Sequence, residues 1–546
     1  MSRKIFAMVL ALCMVIVLAC GCTSSKNNEN ADQEKSSDAA QAKPEASTSA
    51  GTVEKASKYP ITKEKITVKA MVVPANYAND DKKKILWDKL EELTNIHLNP
   101  ITIEKEQLPV YLASGDWPDF FINPLSSAEV NSYGVEGKML VNYNDYLQYM
   151  PNLVACMGKY PTAKKVVTNT DRTMYQLPMV NRAPTSTNAR AHYREDTLNE
   201  LGLKVPTTTD EFHDVLAEIK KAKGIAPLVA SLDANGTGYG YECFLFGAFG
   251  ESTNPSFDSL DGKTVVFNRI SEQYKLYLEY MNRLYSEGLL HQEFLTLDGA
   301  AIKAIVKEGN CIFSNNLGVL TAENFKSGKV EVGTLAPLTS QYSNKQKIIG
   351  CPYYMKSGYA INKDSKYIKE ICQLLDIAFA EKEVAEGTGL YGIAFIYGPE
   401  SLTWKYTDAE KTLFDYIIPP NTDLVGTSYL NKFVKWSNTG LYDSMMVIAE
   451  EGNARARQLG YVKNEIPYQY EWFPGGEMTF APEEQSVINA KYTDIQKHVT
   501  EMHGKFITGV ADVKTDWDEY VATVKKMGIE DVLKAYQTAY DRWNEL

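Results

Sequence analysis

The chain has 546 residues, 44% of them hydrophobic and 23% charged, with a formal charge of −12. These are globular values, and the length is too great for one hydrophobic core, so at least two domains are required. The acidic balance, with no basic run, excludes nucleic acid or an anionic lipid surface as the main partner.

The first residues read as a secretory signal. Arg3 and Lys4 precede an uncharged apolar run from Ile5 to Ala19, which ends in Leu18-Ala19-Cys20-Gly21-Cys22. The run is shorter than the roughly 20 residues a permanent membrane helix needs. A cysteine directly after a small residue resembles a bacterial lipobox, where a diacylglyceryl group is joined to the cysteine and the chain is cut just before it. The signal peptide is therefore 1–19. Cys20, preceded by Leu18 and Ala19, is the lipidation site, with Cys22 as the alternative. Two palmitate-type chains hold firmly where one is marginal, since each buried methylene adds about 0.8 kcal/mol. Residues 20–58 are then a lipid-anchored linker, and beyond the cysteines Val53 is its only large apolar side chain. Such a segment cannot offset the entropy of ordering and stays disordered. Folded sequence begins at Tyr59-Pro60-Ile61.

From there strand and helix patterns alternate. Ile66 to Val73 is β-branched and alternating, which predicts a strand. Pro74 to Asp80 is a turn, and Leu86, Leu90 and Leu93 then share one helix face. Ile96 to Ile101 is the second strand. Phe120-Phe121-Ile122, between Pro118 and Pro124, suits a buried parallel strand. Thr208 to Glu211 forms a capping box ahead of Phe212, Val215, Leu216 and Ile219. Gly262-Lys263-Thr264 has the ending of a phosphate loop, but Phe257 stands where its first glycine belongs. It reads as a turn into a strand over 265–267. Further helices run through Tyr277, Met281, Leu284 and Tyr285, stopping at Gly288, and through Ile368, Ile371, Cys372, Leu375 and Phe379. Two more carry Trp517, Tyr520, Val521 and Val524, and then Leu533, Tyr536, Tyr540 and Trp543. The alternation predicts an α/β fold with mainly parallel sheets flanked by helices.

No Gly-x-Ser-x-Gly elbow and no His-Glu-x-x-His is present, which weighs against an enzyme, and no cofactor motif is found. Asp233 to Gly238 with Glu242 offers oxygen ligands at alternate positions. Thr237 is a poor ligand, however, and no acid stands at the twelfth position, so this is a glycine-rich turn and no metal site is expected. Cys156, Cys243, Cys311, Cys351 and Cys372 are odd in number and lack metal spacing. They read as buried free thiols, with one or two disulfides as the alternative. The chain holds 34 tyrosines and 7 tryptophans, clustered with glycine or proline in 238–249 and 461–473. Flat rings with polar tips suit pockets for amphipathic ligands, and they suit cores equally well.

Several segments converge on one family. Leu112 to Phe121 (Ala113-Ser114-Gly115-Asp116-Trp117-Pro118-Asp119) resembles the "ASGDLPDI" segment of family 1 extracellular solute-binding proteins, the group that includes maltose-binding protein. His192 to Leu203, followed by Pro206 and Thr208 to Phe212, is similar to their "YRKDLLEKLGLKVPKTWDEF" stretch. Ser357 to Ser365 resembles the strand and turn where their chain returns to the first lobe. Lys505 to Gly509, Trp517 to Val521 and Ala539 to Arg542 resemble the long lipoprotein branch. Many members of that branch carry a "DPNGNGKKDE" calcium loop after the helix that ends here at Lys223. This chain has only Gly224-Ile225-Ala226 before Pro227, so that metal site is not carried over.

The resemblance implies a two-lobed, periplasmic-binding-protein-like fold that closes on its ligand by hinge motion. It implies a monomeric receptor on the outer face of the membrane, delivering an oligosaccharide to an ABC-type importer permease. The first lobe would span 60–187 and 341–400 and the second 188–340, with a helical 401–546 packing across both. Ligand contacts at the carboxyl ends of strands would come from Asn76, Tyr77 and Asn123, with Trp117 and Asp119 in the turn before the third strand. The second lobe would add Tyr239 and Tyr241, and later loops Trp436 and Trp472. The rival readings are a peptide or other solute as cargo, and a secreted glycan-active enzyme. The Cys20→Ala chain should be unlipidated and released into the medium; its retention on cells with Cys22 intact would place the lipid on Cys22.

Overall fold

The computed structural model describes residues 59–72, 85–122, 125–183, 191–230, 241–314, 331–350, 354–385, 388–418, 440–443, 449, 453–470 and 473–546. β1 (Ile66–Val72) runs parallel to β2 (Ile96–Thr102) on one side and to β3 (Phe120–Ile122) on the other. β12 (Tyr359–Ile361) completes the order β12-β3-β1-β2 by pairing antiparallel with β3. The pleat sends successive side chains to opposite faces. Val68, Ala70, Val72, Phe120 and Ile122 therefore pack with Leu86 and Leu90, while Met71, Phe121 and Ala360 pack with Leu108 and Leu112. Covered on both faces, β3 is apolar throughout and wholly buried. The helix Ile85–Thr94 supplies one cover and ends at Asn95 (φ 60°), a residue type that tolerates the left-handed region.

β4 (Leu177–Asn181) is buried along its length, with β11 (Tyr354–Ser357) antiparallel on one side and β15 (Gly440–Tyr442) parallel on the other. β11 passes through Gly358 into β12, so one extended stretch serves both sheets. A third sheet has β5 (His192–Arg194) between β8 (Phe313–Ser314) and β9 (Val332–Thr334), antiparallel to both. The helix Thr209–Lys223 lays Phe212, Leu216 and Ile219 into the core, Phe212 meeting Phe313 edge-on at 5.1 Å. Thr208 Oγ1 accepts from Glu211 N as the capping box requires. The Glu211 carboxylate, however, returns to Thr207 N and Oγ1 at 2.8 and 2.7 Å, so the box spans one residue more than expected.

β6 (Phe257–Asp258) and β7 (Val266–Phe267) form a hairpin. At its turn the Asp261 carboxylate accepts from Lys263 N and Thr264 N, and Gly262 has φ 67°. β13 (Trp404–Tyr406) pairs with β14 (Phe414–Tyr416), and β10 (Ile348–Ile349) runs parallel to β16 (Gln469–Tyr470). The α/β fold is as expected, and its sheets are mixed. Parallel pairing holds among β1, β2 and β3, whereas β12 enters beside the carboxyl end of β3 and runs against it. Cys156, Cys243, Cys311 and Cys372 are buried free thiols; Cys351 lies outside the described residues.

The largest unforeseen element is the helix Pro482–Thr508. It packs with Glu272–Ser286, Val513–Lys526 and Ile529–Asn544 around a buried polar centre. There Arg269 grips Glu242 with both terminal nitrogens (Nη2 to Oε2 3.0 Å), and Arg269, Tyr274 and His503 meet at the Tyr274 hydroxyl. Burial pushes His503 down to about 4, so the imidazole is neutral. The last helix reaches two separate regions: Lys165 Nζ donates to Trp543 O at 3.1 Å, and Asn544 Nδ2 to Gly262 O at 3.3 Å. No helix among the described residues is long and apolar enough to cross a membrane.

Asp376 closes the helix Ile368–Asp376 and caps another, Pro151–Lys159. Its carboxylate accepts from Leu153 N at 2.8 Å, Asn152 N at 3.2 Å and Asn152 Nδ2 at 2.9 Å. Burial outweighs these bonds and pushes the acid up to about 7. An unfolded aspartate releases its proton near 3.9. The folded state therefore holds the extra proton between those values, and this group's contribution falls as pH rises from about 4 to 7. Urea denaturation across that range should show wild type losing stability relative to Asp376→Asn, with the difference level above it. A difference that stays flat from pH 4 to 8 would refute the assignment.

Candidate ligand site

In sheets with parallel strands, ligands bind beyond the carboxyl ends. Val72 at the end of β1 is in register with Ile122 at the end of β3, and Asn181 of β4 with Tyr442 of β15. The residues that follow the first pair carry Asn76, Tyr77 and Asn123, which lie outside the described residues, as do Tyr239, Trp436, Trp472, Cys20 and Cys22.

The three remaining candidates are engaged within the fold. Asp119 stands at the amino end of β3, opposite the carboxyl end where ligands are expected. Its carboxylate accepts from Lys69 N (2.8 Å) and Ser365 Oγ (2.7 Å), tying β1 to the turn after β12. Trp117 donates its indole N–H to Leu112 O at 2.9 Å and meets Phe121 and Tyr133 edge-on at 5.4 and 5.3 Å. Tyr241 is buried at the start of the helix Tyr241–Phe246 and donates to His192 O at 3.0 Å. Trp117 and Asp119 share a turn without sharing partners, and Tyr241 packs beside the β5 sheet.

A charged cluster that sequence reasoning missed sits at the other pair of strand ends. Arg182, next after β4, donates Nε and Nη2 to the two oxygens of Asp443, next after β15, at 2.9 and 2.7 Å. Its Nη1 donates to Glu381, whose other oxygen meets Lys159 Nζ at 2.9 Å. Burial alone would lower the Arg182 pKa, but Asp443 and Glu381 raise it overall. Burial opposes ionisation of Glu381, yet Lys159 and Arg182 hold its acid below the ordinary range. Each member is an unremarkable charge in sequence: the β4–β15 pairing brings Arg182 to Asp443, while Lys159 arrives at the end of the helix Pro151–Lys159 and Glu381 from the segment after the helix Ile368–Asp376. Elsewhere, a cavity of about 860 Å³ opens beside β16 and the last helix, with Tyr354, Tyr470, Phe473, Tyr540 and Trp543 in its walls. Tyr470 and Phe473 flank Trp472 in sequence.

The family model described as bacterial extracellular solute-binding protein matches residues 79–385, more than half the chain. The chain belongs to that family. Its members are extracellular, which places the folded body outside the cytoplasm. The chain is also 22% identical over 515 residues to the fructooligosaccharide ABC transporter substrate-binding protein FusA of Streptococcus pneumoniae, covering 88% of this chain and 91% of FusA. The structure of a FusA EF-hand mutant in complex with fructo-nystose superposes with a TM-score of 0.66 at 21% identity, covering 88% of this chain and all of that one. An extracellular solute-binding protein from Bifidobacterium longum subsp. infantis gives 0.70 at 20% identity, covering 88% and 98%. These likenesses establish the two-lobed binding-protein fold for this family member.

An EF-hand takes calcium through a loop of closely spaced oxygen ligands. In this solute-binding protein the helix Thr209–Lys223 ends at Gly224 (φ 70°), and Leu228 already bridges Leu290 and Phe313. The segment 224–227 contains no oxygen-bearing side chain. Exchange between calcium and a chelator should therefore move the melting temperature by less than about 1 °C, since a ligand raises it only by binding the native state. A larger rise with calcium would reveal a site elsewhere.

Proposed function

We propose that this chain is the lipid-anchored, monomeric carbohydrate receptor of an ABC-type importer, capturing an oligosaccharide by lobe closure and passing it to the permease. The observation that carries the reading is the end-to-end match to FusA, a protein whose name specifies both the cargo class and the transporter. The lobes are taken as 60–187 with 341–400, and 188–340, with 401–546 packing across them; that segment is not all helical, since it carries β13 to β16 and lends β15 to the β4 sheet. The two-ended hold of the last helix supports that packing. Cys20 carries the anchor. Asn76, Tyr77, Asn123, Tyr239, Trp436 and Trp472 contact the solute, while Trp117, Asp119 and Tyr241 brace the segments beside them. Affinity comes from burying the solute between aromatic faces and polar side chains, with no bond made or broken.

A thermal-shift screen across fructo-, malto- and xylo-oligosaccharides and short peptides tests the cargo: a neutral oligosaccharide should raise the melting temperature. Stabilisation by peptides alone would refute the carbohydrate reading, and new reducing ends released from the sugars would show an enzyme. Titration with the stabilising sugar should change tryptophan fluorescence saturably. Alanine at Trp436 or Trp472 should weaken binding by at least about 1 kcal/mol, the low end for a buried aromatic contact. Unchanged affinity in both folded variants would misplace the cleft.

A further inference from the structure

We propose that Arg182, Asp443 and Glu381 form a hydroxyl-binding element at the carboxyl ends of β4 and β15, one that selects neutral saccharides over acidic ones. The proposal rests on the carbohydrate-receptor reading and adds to it the residues and the charge class of the ligand.

Position is the first argument. Arg182 N donates to Tyr442 O at 2.9 Å, extending the β4–β15 ladder by one step, so both side chains leave the sheet where parallel strands present ligands. Exposure is the second. The Arg182 side chain is 24% exposed and that of Asp443 39%, so the bidentate pair keeps an edge in solvent.

Charge decides the class of ligand. Arg182 and Lys159 face Asp443 and Glu381, two cations against two carboxylates, so the cluster is balanced. A guanidinium has five N–H groups, and three of those on Arg182 are already committed to carboxylates. A ligand carboxylate could reach only the two remaining N–H groups, where Asp443 and Glu381 repel it and the balanced cluster offers no net positive charge to hold it. A sugar hydroxyl displaces nothing: it donates to a remaining lone pair of Asp443 and accepts from a remaining N–H. Flat rings are near: Tyr406 feels the charges of both Asp443 and Arg182, and Tyr442, next to Asp443, packs with Tyr406 against the Trp404 cluster. Planar polar groups beside aromatic faces are the usual furnishing of a site for a ligand with both hydroxyls and apolar faces.

Isothermal titration of the full mature chain with kestose, maltotriose and xylotriose as neutral probes, and trigalacturonate as the acidic one, tests this. Wild type should bind at least one neutral trisaccharide about tenfold or more tighter than trigalacturonate. Asp443→Asn should weaken that neutral binding by about tenfold, the scale of a lost charged hydrogen bond, and should narrow the neutral-to-acidic ratio. Arg182→Lys keeps the charge, loses the planar fork and should weaken neutral binding similarly. A purely structural role would change the melting temperature without changing the ratio. Neutral affinity within twofold of wild type in both folded variants, or a wild type that prefers trigalacturonate, would overturn the proposal while leaving the receptor reading intact. A wild type that binds none of the four sugars would overturn both.

Discussion

The return of the chain to its first sheet is the constraint on which the architecture depends. β3 is three residues long and buried on both faces, and it is flanked by β1 from the start of the fold and by β12 from far along the chain. Without β12 it would be an exposed apolar edge, which proteins avoid. The β5 sheet is therefore an excursion made between two halves of one sheet system, and the chain must pass between them more than once. Asp119 fastens this closure: its carboxylate holds Lys69 of β1 and Ser365 beyond β12, and its carbonyl accepts from Asn362 N at 3.0 Å. A chain that crosses more than once between two sheet systems can let them rotate about the crossings but not separate, the kind of restricted hinge that a binding-protein fold uses.

The β5 region depends on a different interaction. The Arg269 side chain is buried and that of Glu242 nearly so, 7% and 9% exposed, and such a pair is costly to break because the survivor is left charged in a largely dry interior, typically by about 3–5 kcal/mol. Tyr274 and His503 share the same centre, and Tyr520 donates to Arg269 O at 3.0 Å. The pair thus fixes the C-terminal helices to the helix Tyr241–Phe246. Those helices are part of the core and cannot be regarded as an appendage. Phe257 stacking on Tyr536 at 4.0 Å makes the same point with apolar surface.

Legibility in the sequence followed the range of the interactions involved. The strands at 66–72 and 96–102 and the helix 209–223 were readable because β-branched alternation and helical spacing are local signals. β3 was readable because two prolines bound an apolar run. The strands of two or three residues in the β5 sheet were not, since pairing partners rather than periodicity define them. The helix Pro482–Thr508 was missed although Ile488, Ile495, Val499 and Phe506 fall on one stripe, because charged residues dilute that stripe over its length. Within the candidate site, Arg182 and Asp443 are 261 residues apart, and nothing local marks either one.

The abundance of tyrosine divides between the two roles that composition alone left open. Tyr143, Tyr274, Tyr277 and Tyr359 are among the largest fully buried side chains, and Tyr143 donates to Tyr359 O at 3.2 Å, so many of these rings are core members with satisfied hydroxyls. Polar groups at the strand ends differ with strand direction. At the amino end of β3, Trp117 and Asp119 spend their polar groups on neighbouring backbone and a serine hydroxyl. At the carboxyl ends of β4 and β15, Arg182 and Asp443 bond each other and retain a wet edge. An amino end reached from a tight turn is enclosed by the turn that delivers it, whereas the carboxyl ends of β4 and β15 keep part of their charged pair in solvent. Polar side chains that satisfy one another and still keep an exposed edge retain lone pairs and N–H groups for a further partner.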